Sequence, residues 1–486
     1  MHEQTQIHAQ VSSDLMRPLC VDLDGTLVKS DTLADSVLTL LRAHPRSALG
    51  TFHSLLNGKA AFKAQVASIV SLDAAHLPYN RPLLEYLEQE RGQGRHIYLT
   101  TGADARLAER IAAHLGIFDG VLASNGSTNL TGDNKLDSLR LEFNGEDFDY
   151  IGNARPDLLL LEHAGTAMLA NPNASLRSLV KSRKIKVHRH FEDRSSRRKS
   201  LLKAIRLHQW AKNVLIFVPL LLAHALKLQL ILDAIFGFFC FSFCASATYI
   251  VNDLLDIEND RRHATKRLRP FAAGDLQAST GIIMVIILLA AGLLGTYFLP
   301  DKFLAWLSLY IVVTLSYSLA LKKVALVDVI VLSGLYTVRI LAGGAATATP
   351  ISTWLAGFSV FLFFSLALVK RFSEMQNLRE RGHVPSNGRG YLVADIEQLR
   401  SFGTASGYAA IVVFSLYISG SNVAKLYHHP VRMWLIVPFM LLWISRVWLL
   451  ASRGEMHEDP VIFAVTDRMS LLIGLAVVAI AIFAAF

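Results

Sequence analysis

Two stretches of the chain carry acidic side chains at spacings that suit phosphate chemistry. In residues 19–24, LCVDLD, a short apolar strand runs into Asp22 and Asp24, and Gly-Thr-Leu follows. Carboxylates at i and i+2 after a strand stand together at its C-terminal mouth, where they can hold a divalent cation and attack phosphorus. The second stretch, NDLLDIEND, spaces Asn252, Asp256 and Asp260 four residues apart, with Asp253 beside them. Steps of four keep side chains near one helical face. Like charges this close repel unless a cation intervenes, so a magnesium–diphosphate site makes chemical sense. The basic run RRHATKRLRP comes next and offers Lys266, Arg267 and Arg269 as clamps on the outer oxygens of a leaving diphosphate. A charged loop laced with salt bridges is the plain alternative. It is disfavoured because ionisable groups at the end of an apolar span are costly without a task.

The elements that must position these residues follow from the distribution of apolar sequence. The 486 residues are 52% hydrophobic and 18% charged, with a mean hydropathy of +0.37. That balance excludes disorder, a fibre, a disulfide scaffold and one large soluble domain. Residues 1–205 read as a soluble head, and nine apolar runs follow at about 213–227, 231–251, 280–299, 303–321, 325–346, 351–369, 403–422, 431–450 and 469–486. Each is near the length a membrane-spanning helix needs. Alternate connections hold the basic residues: Arg261 to Arg269, then Lys322 and Lys323, then Lys370, Arg371, Arg379, Arg381, Arg389 and Arg400, then Arg453 and Arg468. Of the opposite connections, 423–432 carries Lys425 and Arg432. The positive-inside rule then predicts a multi-pass protein of the plasma membrane, with its head in the cytoplasm and its C-terminus on the other side. The formal charge of +9 belongs to these juxtamembrane segments and calls for lipid contact, not nucleic acid. Cys20, Cys240 and Cys244 make no disulfide framework, and the N-terminus shows no apolar signal segment. Other polar residues stand at or within the spans: Trp210, Lys212 and Asn213; Tyr317, Lys322 and Asp328; Arg339; Glu374; Asp459, Asp467 and Arg468.

DLDGTL resembles the first motif of the haloacid-dehalogenase-like phosphohydrolases, which implies an α/β Rossmann-like head over residues 18–180. The resemblance makes Asp22 the nucleophile and Asp24 the general acid/base. Thr101 in HIYLTTG matches the hydroxyl that holds the phosphoryl group, and Lys135 the lysine between phosphate and nucleophile. FDYIGNARPD resembles the fourth motif and ends at Asp157, with Asn153 where that family usually has an acid. Magnesium would fall to Asp22, Asp24, Asn153 and Asp157. Helical patterns between residues 30 and 95 look like a small cap, residues 1–17 a tail, and residues 181–205 a basic juxtamembrane linker.

NDLLDIENDRRHATKRLRPFAAG resembles the first signature of the UbiA-type intramembrane prenyltransferases, an all-α bundle of nine spans. HQWAKN, YSLALK, RILAG, KRFSEM and DPVIFAVTD look like the branch that transfers phosphoribosyl to decaprenyl phosphate. The resemblance covers residues 206–486. It implies phosphoribosyl pyrophosphate (PRPP) as donor, a polyprenyl phosphate as acceptor and Mg²⁺ as cofactor. Asn252, Asp253, Asp256, Asp260 and Asp328 would serve the metal. Lys212, Lys266, Arg267, Arg269, Lys322, Arg339, Lys370 and Arg371 would serve the phosphates. The head would then remove the 5-phosphate of the product. The alternative keeps the membrane fold, with a prenyl diphosphate donor, an aromatic or other polar acceptor, and a head that regulates without turnover.

Overall fold

The computed structural model describes residues 17–224, 227–380, 389–420, 423, 426–456 and 460–485. Arg381, Lys425, Asp459 and residues 1–16 of the expected tail lie outside the described residues. The chain forms two compact units, Met1–Ile205 with Ile250–Met284, and Arg206–Tyr249 with Val285–Phe486.

The first unit is built on six parallel strands: β1 (Leu19–Asp22), β2 (Ile97–Asp104), β3 (Gly120–Ser124), β4 (Asp149–Gly152), β5 (Ala167–Ala170) and β6 (Val187–Phe191), in the order β3-β2-β1-β4-β5-β6. Alternation along the strands feeds two cores. Leu19, Val21, Ile97 and Leu99 pack on one face, and Cys20, Tyr150 and Leu169 on the other. Both faces of a parallel sheet must be covered, and helices do so here. Strand order reverses between β1 and β4, so a crevice opens beyond their C-terminal ends.

Four helices, α1 (Thr32–Ala43), α2 (Pro45–His53), α3 (Lys59–Ile69) and α4 (Arg81–Gly92), fill the chain between β1 and β2. Their starts are set by local chemistry. The Asp31 carboxylate caps α1 by accepting from the Ala34 amide at 2.9 Å, and Asn80 caps α4 with Pro82 just inside it. The remaining helices of the head are α5 (Ala105–Leu115), α6 (Asp133–Glu142), α7 (Leu158–His163), α8 (Ala174–Ser182) and α9 (Arg197–Ile205).

Residues 181–205, expected as a linker, instead supply β6 and α9. β6 is an edge strand in which only Phe191 is buried. Its exposed His188, Arg189 and His190 give it the composition of a solvated basic segment.

The unit is completed by residues from beyond the first membrane span. The end of α10 (Leu228–Leu255), the short α11 (Ile257–Arg262) and the start of α12 (Ala278–Gly295) belong to it. Arg261 donates to Asp35 at 2.7 Å and to Ser30 Oγ at 2.9 Å, and its Nε donates to the Ala272 carbonyl. Both charged side chains of this pair are 2% exposed. Arg262 pairs with Asp73, whose amide donates to Glu258. The αL glycine Gly274 lets the returning backbone lie against Lys29, where a Cβ would fall 2.6 Å from the lysine Cβ.

The second unit is an all-α bundle. Across the chain, eight described helices are long and apolar enough to cross a membrane: α10, α12, α13 (Asp301–Leu319), α14 (Val327–Ala346), α15 (Thr353–Glu380), α16 (Ile396–Ile418), α17 (Ile436–Ser452) and α18 (Arg468–Ala485). The protein is therefore a multi-pass membrane protein. The expected span at 213–227 differs. It is a 3₁₀ segment, Leu207–Phe217, followed by the single helical turn Val218–Leu222. Pro219 lies in the first positions of that turn, and His224 just beyond it adopts a left-handed φ of +51°. This segment packs hard against α14, where a Cβ on Gly343 would lie 2.0 Å from the Ile216 carbonyl oxygen.

Removing one member of a buried ion pair leaves the other charge uncompensated, at a cost of about 3–5 kcal/mol. Asp35→Ala is expected to destabilise the first unit by that amount in thermal or denaturant unfolding. Adding Arg261→Met should recover most of the loss. A single variant as stable as wild type would contradict the buried pairing.

Candidate active sites

At the crevice beyond β1 and β4 the residues of the phosphohydrolase motifs meet. Lys135, delivered by α6, donates to Asp22 Oδ1 at 2.8 Å and to the Tyr150 hydroxyl at 2.7 Å, and lies 3.9 Å from Asp157 Oδ1. The Tyr150 hydroxyl donates onward to Asp157 Oδ1 at 2.9 Å. The other oxygen of Asp157 accepts from the amides of Asn153 and Ala154, each at 3.0 Å, which fixes the loop after β4. Thr26 Oγ1 donates to Asp22 Oδ2 at 3.1 Å, and the Thr32 amide at the start of α1 donates to Asp24 Oδ1 at 2.7 Å. Thr101 is buried in β2 and accepts from the Ala103 amide.

Burial pushes the Asp22 carboxyl up to about 6, against the pull of Lys135. Burial, reinforced by Asp31, pushes Asp24 up to about 7. Asp24 lines a cavity of about 100 Å³ with Thr32, Lys63, Ala103 and Asp104. Lys63 comes from α3 and donates to the Gly102 carbonyl at 2.6 Å and to Asn129 Oδ1 at 2.8 Å. The expected cap is thus tied by a lysine to the strand end that carries Thr101.

Magnesium suits this crevice. Asn153 Oδ1 is buried with no hydrogen-bond partner. Its amide lies so close to Gly25 that a Cβ there would fall 1.9 Å from Asn153 Nδ2. A buried, unpartnered amide oxygen in the loop next to Asp24–Gly25 is a ligand that a hard divalent cation takes.

In the acidic segment Asn252 and Asp253 occupy the last turn of α10, Asp256 stands at the break, and Asp260 lies in α11. The four-residue steps survive the break, because the Asp256 amide donates to the Asn252 carbonyl and the Asp260 amide to that of Asp256. The side chains pair differently from a simple metal cluster. Arg269 bridges Asp253 Oδ1 at 3.0 Å and Asp260 Oδ2 at 2.6 Å. Asp256 Oδ1 lies 3.2 Å from Arg42 of α1. Burial pushes Asp260 up, opposed chiefly by Arg269. Lys266 is half-buried and Arg267 exposed on the following 3₁₀ turn. Among the described residues no three acidic, histidine or cysteine side chains are gathered as a cage. In each cluster a cation sits between the carboxylates.

The bundle holds two further polar clusters. Asp328, in the first turn of α14, is fully buried and accepts from Arg371 Nε at 2.6 Å and from the Tyr391 hydroxyl. Arg371 also donates to Glu374 at 2.5 Å and to the Tyr317 hydroxyl, which accepts from Arg389 too. Lys322 and Lys370 are half-buried, Lys322 on the 3₁₀ turn before α14 and Lys370 beside Arg371 on α15. Deeper in α14, Arg339 donates to Asn213 Oδ1 at 2.8 Å, to the Leu335 carbonyl at 2.6 Å and to the Tyr310 hydroxyl at 3.3 Å. It also lies over the rings of Phe241, Tyr310 and Tyr336, and the far side of this group is marked by Lys212, 5.7 Å from the Tyr336 centroid. Arg339 is 4% exposed and forms no ion pair with a described carboxylate. Its neighbours supply oxygen atoms and ring faces but no negative charge.

Sequence reasoning missed Tyr150, Lys63, Tyr391 and Arg42. Tyr150 sat inside a quoted motif on the inward register of β4. Nothing in the sequence marks which partners the other three find.

The model of the UbiA prenyltransferase family matches residues 214–473, more than half of the chain. The protein belongs to the UbiA prenyltransferase family. An uncharacterized protein of Sinorhizobium fredii, y4nM, is 39% identical over 95% of this chain and 90% of its own length, so the likeness extends through the head. The nodulation protein NoeC of Azorhizobium caulinodans is 36% identical over 56% of this chain and 90% of its own. A decaprenyl-phosphate phosphoribosyltransferase of Mycobacterium tuberculosis is 29% identical over 57% of this chain and 92% of its own. This UbiA-family member thus carries a parallel-sheet domain N-terminal to its apolar helices.

The raised carboxyls of the head give a pH signature. A carboxyl with a raised folded-state pKa lends stability below its ordinary value, and that stability is lost as pH rises through the folded value. In chelator, the melting temperature of the UbiA-family protein is expected to fall between about pH 4 and pH 7 through Asp22 and Asp24. Added Mg²⁺ should reverse the fall, and its effect should grow across the same window as protons are released. Asp24→Asn should flatten both trends. A metal effect independent of pH would count against these two carboxylates as ligands.

Proposed function

We propose that this enzyme transfers 5-phosphoribosyl from PRPP to a polyprenyl phosphate, releasing diphosphate, and that its head then removes the 5-phosphate. The observation that carries the transfer is the run of carboxylates Asp253, Asp256 and Asp260, each held by an arginine at the mouth of an apolar span. Magnesium bound there neutralises the leaving diphosphate. Asn252, Asp256 and Asp260 would hold the metal, and Lys266, Arg267 and Arg269 would turn to the outer phosphate oxygens.

Arg339 supports an anionic acceptor, since a buried guanidinium surrounded by neutral oxygens and rings is completed by an incoming negative charge. Lys212 stands near it, and Lys370 and Arg371 are the alternative holders of that phosphate. Arg371 is already neutralised by Asp328 and Glu374, which leaves Arg339 the better candidate. The acceptor oxygen attacks C1 of the ribose as the C1–oxygen bond to diphosphate breaks.

In the head, an Asp22 oxygen attacks phosphorus while Asp24, with its pKa raised to about 7, protonates the departing ribose 5-oxygen. Lys135 and Thr101 hold the phosphoryl oxygens. Water then releases the aspartyl-phosphate, with Asp24 taking its proton back.

The description of the matched family favours a second reading, with a prenyl diphosphate as donor. The same magnesium–diphosphate chemistry at residues 252–269 serves both, so donor identity separates them. Purified protein with Mg²⁺, PRPP and a short-chain polyprenyl phosphate should yield a ribosyl lipid lacking the 5-phosphate, resolved by mass. Asp256→Asn should lower its formation at least a hundredfold, and Arg339→Gln should raise the acceptor KM. In Asp22→Asn the 5-phosphate should persist. Consumption of a prenyl diphosphate with no ribosyl lipid would overturn the PRPP reading.

We also place the head in the cytoplasm, on the side of the basic connections. The segment Leu207–Leu222 then serves as a ninth crossing and puts the C-terminus outside. A C-terminal alkaline phosphatase fusion should be active outside the cell, and an inactive, stable fusion would reverse that assignment.

A further inference from the structure

The acidic segment does not stand alone in its unit. Helix α1 of the head runs from the crevice beyond β1 to the acidic segment: at its start the Thr32 amide holds Asp24, and in its last turn Arg42 reaches Asp256. Neither Arg42 nor Asp256 is well exposed, at 14% and 13%. Between these ends Asp35 and Ser30 hold Arg261, from the same segment as Asp256, so the helix and the acidic segment are fixed in register. Arg42 is therefore held at Asp256 by more than its own charge.

We propose that Arg42 is a diphosphate-binding residue of the transferase reaction, supplied by the head. This rests on the assignment of the donor diphosphate to residues 252–269. Without ligand, Arg42 neutralises Asp256, as Arg269 neutralises Asp253 and Asp260. When the metal–diphosphate complex arrives, Asp256 turns to the metal and the Arg42 guanidinium to a phosphate oxygen. Both exchanges keep every buried charge paired, which is the condition for moving them at low cost. A planar guanidinium with several donors suits the diphosphate better than a lysine ammonium does. The first unit would thereby contribute to both proposed reactions, phosphate hydrolysis in its crevice and diphosphate binding at residues 252–269.

The test is titration calorimetry of the full-length protein in detergent with inorganic diphosphate and Mg²⁺, and separately with Mn²⁺ alone. The binding lost in Asp256→Asn defines the donor site and keeps it apart from anion binding in the head. In Arg42→Gln that component should weaken about tenfold or more, the loss expected of one charge-assisted hydrogen bond. Arg42→Lys should recover part of it, and Mn²⁺ binding should be retained or tightened because a competitor for Asp256 is gone. Diphosphate affinity within twofold of wild type in Arg42→Gln would overturn the proposal. So would a parallel loss of Mn²⁺ binding, which would make Arg42 a structural tie. A wild-type protein with no Asp256-dependent diphosphate binding would instead overturn the donor-site assignment itself.

Discussion

Buried carboxylates must be neutralised, and this requirement organises three of the polar clusters among the described residues. Lys135 stands between Asp22 and Asp157, Arg269 between Asp253 and Asp260, and Arg371 between Asp328 and Glu374. Each cation is shared by two acids, and tyrosine hydroxyls or backbone amides satisfy oxygens left over, as Tyr150 and Tyr391 do. In such clusters the shared cation offsets the cost of burying two like charges together. Arg339 is the inverse case, a buried cation among oxygens that carry no full charge.

The fold serves these clusters by bringing strand and helix ends together. The reversal of strand order between β1 and β4 puts Asp22 and the Asn153–Asp157 loop at one crevice, and α6 only has to deliver a lysine. In the segment that returns to the first unit, the break at Asp256 turns α10 into α11 without losing the four-residue steps, so its acids stay near one another while pairing with different arginines. The head and the returning segment 250–284 form one body because Arg261 is buried in it.

Much of this was legible in the sequence, for identifiable reasons. A strand-then-acid pattern marked β1, and runs of apolar residues marked eight of the spans; the strand expected to end at Asp157 ends at Gly152, and Asp157 stands on the 3₁₀ turn that follows. The motif residues Asp22, Lys135 and Asp157 do meet, because residue type and order along a βα fold constrain where they can stand. The edge strand β6 was hidden by its exposed basic residues, which look the same in a strand as in a linker. The short 3₁₀ segment was hidden by its hydropathy, which reports burial but not helix geometry. Partner choice was hardest to read. Nothing in SVLTLLRAH says that Arg42 ends at Asp256, since that pairing joins residues 214 positions apart through a fold that hydropathy does not encode.

The discontinuity of the first unit has a consequence for biosynthesis. Met1–Ile205 leave the ribosome before Ile250–Met284 exist, and α10 lies between them. At ordinary elongation rates the delay is on the order of seconds. During it the head can form its sheet, while Asp35 waits for Arg261 and that patch stays hydrated. Only a chain whose first long span has been threaded in the correct direction brings Arg261 back to the side on which the head is waiting. Closing the Arg261–Asp35 pair therefore ties completion of this unit to the return of the chain after α10.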